Sequence, residues 1–421
     1  MKRFLPRSRR RRQAVAGAGV ALAAVAGFAV YSTASDEKTP LVVSFTLGGG
    51  SHVGGTGDDL EIEGTFRGLA VSADDTVHLF TQEDDGSDSR MVMWRKTKSG
   101  AAERVPVSGM DEVRAEQAAV AADGSVYLAG GEDGLWKVGQ DGEATHLIAT
   151  RPCKKANPVS TPTDTFCTDR VSGVTISHDG TVYIGDGLVG PRARSSYVHR
   201  LDGETVGLVA GRPPKARESG EPGNSAVRHG FDPPTGTKAT DVLVPDPLNA
   251  GALAAGKRGI YWKTGPGIVR INTDGTLSPT VAAREPAEID KAQAPFSAVG
   301  RALDAAVPRS ALDHPGGLSA TTGRDEIFYS DTSDRGATPT LEGDFRWQGV
   351  TSDSQEKLLE SAEPGGVVYR VADGRLAPVI AGVQSIATSE NGLYVAVQTD
   401  GGDSGDPKDR DTAVLRVRLP G

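Results

Sequence analysis

The 421-residue sequence predicts an all-β fold built from one repeated unit, and three observations support this prediction. Glycine supplies 54 residues and proline 25, a content of chain-bending residues that disfavours a helical protein. Apolar residues make up 37% and charged residues 24%, which is the composition of a folded chain rather than of a disordered tail. A short apolar strand, a tight turn and an apolar-aromatic strand recur along the chain, and this pattern is typical of β-hairpins.

The first element, residues 1–34, has the order of a secretory signal. Seven Lys or Arg residues precede position 14, an uncharged apolar run follows to Val30, and small residues end at Ala34. The 17-residue apolar run is short for a permanent span, which needs about 20 residues. Two alternatives stay open, cleavage after about Ala34 or retention as a single N-terminal membrane anchor. Both place the rest of the chain outside the cytoplasm, secreted or anchored to the plasma membrane, because the basic flank stays inside.

Residues 35–40 form a short linker, and the charge of the chain that follows the signal indicates which partners to expect. Without residues 1–34 the chain has 39 basic and 55 acidic residues, a net charge of −16. We therefore expect no nucleic-acid partner, because a polyanion is repelled by such a field.

The two cysteines, Cys153 and Cys167, lie 14 positions apart, and export predicts that they form a disulfide. A bond across this loop is worth about 3 kcal/mol in the chain-entropy model. Without a second pair or a nearby histidine, the two cysteines do not indicate a zinc site.

Six hairpins follow one another from residue 68. They occupy residues 68–79, 118–128, 173–184, 250–262, 317–329 and 385–395. A second hairpin follows each of them, and its leading strand carries one basic residue in every repeat: Arg95, Lys137, Arg200, Arg270, Arg370 and Arg416. We interpret this residue as a device that keeps an outer strand solvated and prevents edge pairing.

Four antiparallel strands repeated six times predict a six-bladed β-propeller over residues 41–421. The sixth repeat ends at Gly421 without a fourth strand, whereas residues 41–47 form an apolar strand that has no partner in sequence. We expect this N-terminal strand to complete the last blade and to close the ring.

Two segments carry a family resemblance. Residues 173–186 and 312–318 resemble the NHL repeat pattern, and the resemblance covers roughly residues 41–421. It implies the propeller fold. NHL-type propellers are mostly binding platforms with some enzymatic relatives, so the fold does not choose between these classes.

Strand order assigns each connection to one of two faces. Turns between strands one and two, and between three and four, lie on what we call the tight-turn face. The other connections lie on the opposite, insertion face, which receives every long insertion: residues 151–171, 187–196, 211–249, 283–314, 332–365 and 399–412. Long loops on a rigid scaffold commonly form binding sites. We therefore expect an extracytoplasmic binding or scaffold module for a protein, peptide or cell-envelope ligand on the insertion face.

The insertion face has few residues typical of catalysis. Its histidines, His229 and His314, have no partner at metal spacing and are interpreted as ordinary loop histidines. The sequence contains no Gly-x-Ser-x-Gly, Walker or His-Glu-x-x-His motif. We expect no catalytic residue and no organic cofactor.

Asp186 and Asp331 each end the second strand of a blade, so we expect both near the mouth of the central channel on the insertion face. Two carboxylates there could hold a divalent cation such as Ca²⁺ together with loop carbonyls. In gluconolactonase-like six-bladed propellers a metal-bound acid occupies such a position, and this resemblance implies the alternative function, a metal-dependent hydrolase such as a lactonase. Two departures weigh against it: Ser172 replaces an expected Asn, and Glu63 matches the first acidic ligand only loosely. The favoured interpretation is that both acids bond neighbouring backbone amides at strand ends.

Overall fold

The computed structural model describes most of the chain after residue 40, and its compact unit spans Leu41–Leu419. The predicted signal or anchor at 1–34 and the linker at 35–40 lie outside the described residues. The described ranges are 41–50, 60–84, 89–98, 100–153, 157, 159–188, 195–213, 233–244, 250–264, 267–281, 317–321, 326–331, 345–348, 353–363, 365–372, 375–390, 392–399 and 410–418.

The chain folds as a six-bladed β-propeller, as predicted. The first strands of successive blades contact one another around the whole ring, including the contact between blade 6 and blade 1. Strand β1 (Leu41–Leu47) precedes the first blade. Blade 1 contains β2 (Thr65–Val71), β3 (Val77–Asp84), β4 (Ser89–Lys96) and β5 (Ala102–Pro106). Blade 2 contains β6 (Gln117–Val120), β7 (Val126–Ala129), β8 (Leu135–Val138) and β9 (Ala144–Ile148).

The remaining blades follow in chain order. Blade 3 contains β10 (Ser160–Pro162), β11 (Arg170–Ile176), β12 (Val182–Leu188), β13 (Ser195–Asp202) and β14 (Thr205–Ala210). Blade 4 contains β15 (Thr237–Lys238), the 3-10 helix Ala239–Asp241, β16 (Ala250–Gly256), β17 (Gly259–Thr264), β18 (Ile268–Ile271) and β19 (Thr276–Val281). Blade 5 contains β20 (Leu318–Ala320), β21 (Ile327–Asp331), β23 (Gly366–Ala372) and β24 (Arg375–Val383). Between β21 and β23 lie β22 (Phe345–Trp347) and helix α1 (Asp353–Glu360), and blade 6 contains β25 (Ser385–Thr388), β26 (Leu393–Gln398) and β27 (Thr412–Arg418).

The N-terminal strand closes blade 6, which confirms the prediction. β1 pairs antiparallel with β27, with Val42 opposite Arg418 and Phe45 opposite Leu415. Val43 and Leu47 of this strand are buried in the core. The first and last strands of the propeller therefore lie in one sheet.

Three blades depart from the predicted four strands because an insertion supplies a fifth. β10 pairs with β14 of blade 3, β15 pairs with β19 of blade 4, and β22 pairs in parallel with β1 in blade 6. Each added strand covers the outer edge of its sheet, where unpaired backbone groups would otherwise be exposed. Parts of three insertions are therefore built into the scaffold.

The basic residue of the third strand has a different role from the one that we expected. The third strand lies between the second and the fourth in every blade and is not an edge. Its basic residue instead stands opposite a ring of the second strand; the pairs are Arg95 with His78, Lys137 with Tyr127, Arg200 with Tyr183, Arg270 with Tyr261, Arg370 with Phe328, and Arg416 with Tyr394. Lys137 Nζ lies 5.7 Å from the centroid of the Tyr127 ring, a cation–π distance.

The predicted disulfide is present and anchors an insertion between blades 2 and 3. Cys153 and Cys167 are bonded, with their Cα atoms 5.3 Å apart. The neighbouring Phe166 is fully buried among apolar residues of blades 2 and 3. Within the part of the chain that the structure describes, no helix is long and apolar enough to cross a membrane.

Candidate functional site

Asp186 lies at the contact between two blades rather than at the channel mouth, which corrects the expected position. Val182 and Ile184, on the same side of β12, pack with Ala129 and Leu135 of blade 2. Since side chains alternate along a strand, Asp186 also faces blade 2. Only 1% of its surface is exposed.

The partner of Asp186 at this contact is His199 of the adjacent strand β13. His199 Nε2 lies 3.3 Å from Asp186 Oδ1, but the contact lacks hydrogen-bond geometry. Both carboxylate oxygens and both ring nitrogens are buried without a hydrogen-bond partner among the described residues. The Phe166 ring covers His199 edge-on at a centroid distance of 5.0 Å. Burial, together with the charge of Asp186, raises the pKa of the nearby Tyr197 to about 12.

The described residues include no cluster of the kind that holds a metal ion. No group of three His, Cys, Asp or Glu residues in the described ranges is placed to hold an ion. The backbone of Asp331 ends β21 opposite Val367, but its side chain lies outside the described residues. In blade 4 the corresponding residue is Lys263, which is buried with its Nζ 5.6 Å from the Tyr329 ring centroid. The metal role of Asp186 and Asp331 therefore stays a prediction.

A cavity of about 700 Å³ lies on the propeller axis and reaches the tight-turn face. The first strands of all six blades line it, as do the tight turns of blades 1, 2, 3 and 6. Its volume is in the range of small-molecule pockets. The sequence analysis directed attention to the opposite face and did not predict this cavity.

Gln117 of blade 2 crosses the axis and bonds the first strands of three other blades. Its side-chain NH₂ donates to the carbonyls of Leu253 and Leu318, and its carbonyl accepts from the backbone N–H of Leu253 at 3.0 Å and of Val174 at 3.2 Å. A first strand has no further strand on its axial side, so its backbone groups there need such partners. Gln117 therefore provides hydrogen-bond partners for backbone groups on the axial side of these strands. Its side chain also fills part of the channel.

Hydroxyl groups form hydrogen bonds with other backbone groups of the cavity wall. Thr175 Oγ1 accepts from the backbone N–H of Ala255 at 2.9 Å. Thr388 Oγ1 donates to the carbonyl of Ala320 at 2.8 Å and lies 2.8 Å from Ser319 Oγ. The wall is therefore polar as well as apolar, and its polar groups come from different blades.

His78 is the buried titratable group of this cavity. It lines the wall with 2% of its surface exposed, and its Nδ1 has no hydrogen-bond partner among the described residues. Burial, helped by the charge of Arg95, lowers the pKa of His78 to about 4, so the ring is neutral at neutral pH. The sequence contained a signal for it, because the other five repeats place Tyr or Phe at this position.

The rim of the cavity includes an acidic turn that recurs in the repeats. Asp74 accepts from the backbone N–H of Thr76 at 3.2 Å and from the hydroxyl of Ser72. The Ser72 hydrogen bond lowers the pKa of Asp74, which keeps the carboxylate charged. Asp179 has the same arrangement in blade 3, where it accepts from the hydroxyl of Ser177 at 2.5 Å and from the backbone N–H of Thr181 at 3.1 Å.

Comparison with known proteins finds similar solved structures at low sequence identity. No family model and no curated protein matches it. Solved structures similar to it include a gluconolactonase from Xanthomonas campestris (12% identity, TM-score 0.41, 85% of this chain and 87% of that chain) and the calcium-binding protein regucalcin from Agrobacterium tumefaciens (11%, 0.41, 90% and 97%). An auxiliary nutrient binding protein from Bacteroides ovatus is also similar (10%, 0.39, 91% and 78%). At these identities and TM-scores, no activity or ligand carries over to this chain.

Proposed function

We propose that this chain is an extracytoplasmic, NHL-type propeller that binds a protein, peptide or cell-envelope ligand across its insertion face without catalysing a reaction. The observation that carries the proposal is the anchoring of three insertions, which add β10, β15 and β22 to the outer edges of three blades. Segments fixed in this way form a rigid base for recognition loops. The Cys153–Cys167 bond adds a further anchor and is compatible with an oxidising compartment.

The packing of the insertion at residues 211–249 determines which part of it can be tested. Ala239, Val242 and Val244 are buried in the core between blades 3 and 4. The carbonyl of Val244 also accepts from the backbone N–H of Ser196 at 2.8 Å. Removing residues 212–248 would therefore damage the propeller, whereas residues 214–232 can be replaced without removing these contacts.

The test is capture of a partner from envelope extract by the full chain and by a variant with residues 214–232 replaced by a Gly-Ser linker. We expect the full chain to retain a specific partner and the variant to lose it while keeping the same circular dichroism spectrum. The matched control is Asp202→Asn, at an exposed turn of the tight-turn face, which should capture normally.

Two results would contradict the proposal. One is equal capture by the linker variant. The other is hydrolysis of a lactone by protein that contains a bound divalent cation, which would favour the metal-dependent hydrolase.

A further inference from the structure

The turn between β2 and β3 carries an aspartate where the same turn of blades 2 and 3 carries a glycine. Asp75 has a φ of 69°, and Gly124 and Gly180 have φ values of 78° and 83° at the corresponding positions. A side chain is disfavoured in this left-handed conformation, and Asp75 is the one non-glycine residue with a positive φ among the described residues. The turn therefore keeps a residue that its backbone conformation does not favour.

The carboxylate of Asp75 reaches out of blade 1 and contacts blade 6. Its Oδ2 accepts a hydrogen bond from Nη2 of Arg416 on β27 at 3.3 Å, between residues 341 positions apart. The hydroxyl groups of Ser389 and Tyr394, also in blade 6, donate to the same carboxylate. The Arg416 guanidinium in turn lies 5.6 Å from the centroid of the Tyr394 ring. One side chain of blade 1 therefore binds three groups of blade 6.

These contacts are largely removed from water. The side chain of Asp75 is only 10% exposed, and Ser389 and Tyr394 are buried. Lys98 of blade 1 also lies 3.1 Å from Asp75 Oδ2, but its side chain is 68% exposed, so this pair contributes less. Burial alone would raise the pKa of Asp75, but its hydrogen bonds and the charge of Arg416 together lower it. Removing the carboxylate would leave Arg416 and the buried hydroxyls without this acceptor.

The contact lies at the point where the ring closes. β1 pairs with β27 in blade 6, and residues 48–64 connect it along the insertion face to β2 of blade 1. On the tight-turn face no chain connection joins the two blades, because the hairpin turns there each stay within one blade. The Asp75 carboxylate provides a link on that face.

We propose that Asp75 is a latch that holds blade 6 against blade 1 on the tight-turn face, and that its left-handed backbone is retained because the carboxylate is needed across the contact. The latch acts on closure of the ring and needs no ligand, so it is independent of the function proposed above for the insertion face.

The sign of the effect of glycine separates a latch from an ordinary turn. Asp75→Gly restores the residue of blades 2 and 3, so a role confined to the turn would raise the midpoint of urea unfolding of the full chain. The latch predicts the opposite, a midpoint lower by roughly 0.3 M or more. Asp75→Asn should cost less, because an amide oxygen still accepts from the two hydroxyls and Asn tolerates a positive φ. The matched control is Asp74→Asn, since Asp74 bonds within the turn, and its midpoint should stay within about 0.1 M of the parent.

A double-mutant cycle tests whether the carboxylate acts across the two blades. Asp75→Asn and Arg416→Gln remove the same contact, so the double variant should lose less than the sum of the single losses. The control cycle pairs Asp75→Asn with Arg370→Gln, at the equivalent position of blade 5, where the arginine is bonded to Glu326 instead. These two losses should add, because the two sites share no partner.

The charge of Asp75 gives the latch an acid limit. Since the pKa of Asp75 is lowered in the folded chain, its contribution is complete above the unfolded value of about 4 and is lost as the pH falls through the folded value. The difference in midpoint between the parent and Asp75→Asn should therefore be constant from about pH 5 to 7 and shrink below about pH 4. Asp74 and Glu390, on the turns of the two blades, also titrate in acid, but both are present in parent and variant, so their effects cancel. The other ionisable groups facing the carboxylate do not titrate in this range: Lys98, Arg416 and Tyr394.

The proposal is overturned if Asp75→Gly raises the midpoint or leaves it unchanged, if the cycle with Arg416→Gln is additive, or if the difference between the parent and Asp75→Asn persists undiminished to about pH 3. If Asp75→Gly does not fold, the cycle and the pH profile of Asp75→Asn decide the matter.

Discussion

Phe166 shows how one side chain of an insertion can become part of the core. It precedes Cys167, is fully buried, and packs in one cluster with Ile148 of blade 2 and Val206 of blade 3. Its ring also packs edge-on against His199, the neighbour of Asp186. The insertion therefore stabilises the contact between two blades.

We predict that Phe166→Ala lowers the free energy of unfolding by about 3 to 5 kcal/mol, because it leaves a cavity and opens a path for water to a buried carboxylate. Urea unfolding followed by tryptophan fluorescence measures the change. Val159→Ala is the control in the same insertion, since Val159 is 73% exposed, and it should change stability by less than about 0.5 kcal/mol. Equal effects of the two substitutions would contradict a core role for Phe166.

Asp186 and His78 show how much can be predicted from the sequence for a single residue. The repeat alone placed Asp186 at the end of a second strand, and it does lie in that strand, which continues to Leu188. Which neighbouring blade its side chain faces depends on the side of the pleat that it occupies, and its neighbour His199 is 13 residues away on the next strand. The sequence shows His78 as the one histidine at a repeat position that otherwise holds Tyr or Phe. Its burial depends on packing against blade 2, which the sequence does not show.

At the scale of elements, β1 is the strand on which the last blade depends. It lies between β27 and β22, and its alternate residues have different environments. Val43 is fully buried in the core, whereas Ser44 is half-buried on the other side, opposite Arg416. The strand therefore contributes apolar burial as well as backbone pairing.

We predict that Val43→Asp lowers the free energy of unfolding by roughly 3 kcal/mol or more, because an unpaired carboxylate would be buried in an apolar cluster. Ser44→Asp is the matched control one residue away, and it should cost less than about 1 kcal/mol because Arg416 can pair with the new charge. The midpoints of urea unfolding compare the two variants. A larger loss for Ser44→Asp would show that the register between β1 and β27 is wrong.

The short added strands explain why the four-strand prediction was incomplete. β10, β15 and β22 contain three, two and three residues, and none of them belongs to the repeat. Such segments carry too few residues for an alternating pattern to be recognised. They form strands because an existing sheet edge offers hydrogen-bond partners, and that edge exists only in the folded protein.

At the scale of the whole molecule, the ring is closed by hydrogen bonds between residues far apart in the chain. Val42 stands opposite Arg418, so the start of β1 lies beside the end of β27. The first strand of blade 6 also contacts the first strand of blade 1. Closure removes the exposed edge that an open arc of blades would have.

We predict that moving residues 41–47 from the N-terminal side to a position after Gly421, through a short glycine-rich turn, preserves the propeller. The moved strand can form a hairpin with β27 in the same register. Deleting residues 41–47 should instead remove the core residues Val43 and Leu47 and expose the edge of β27. Melting temperatures of the two variants, measured against the parent, test this, and equal losses in both would contradict closure by this strand.

The amino-acid sequence by itself determined the class of the fold, the six repeats, the closing strand and the disulfide. These features follow from local rules, because Asp-Gly turns, alternating apolar residues and an unmatched strand can be recognised without knowing which blades touch. Only the tertiary structure decided that Asp186 faces His199 under Phe166, that Gln117 crosses the axis, and that a cavity containing His78 reaches the tight-turn face. Those contacts join different strands and, for Gln117, different blades, so the packing of the blades creates them, and no local pattern contains that information.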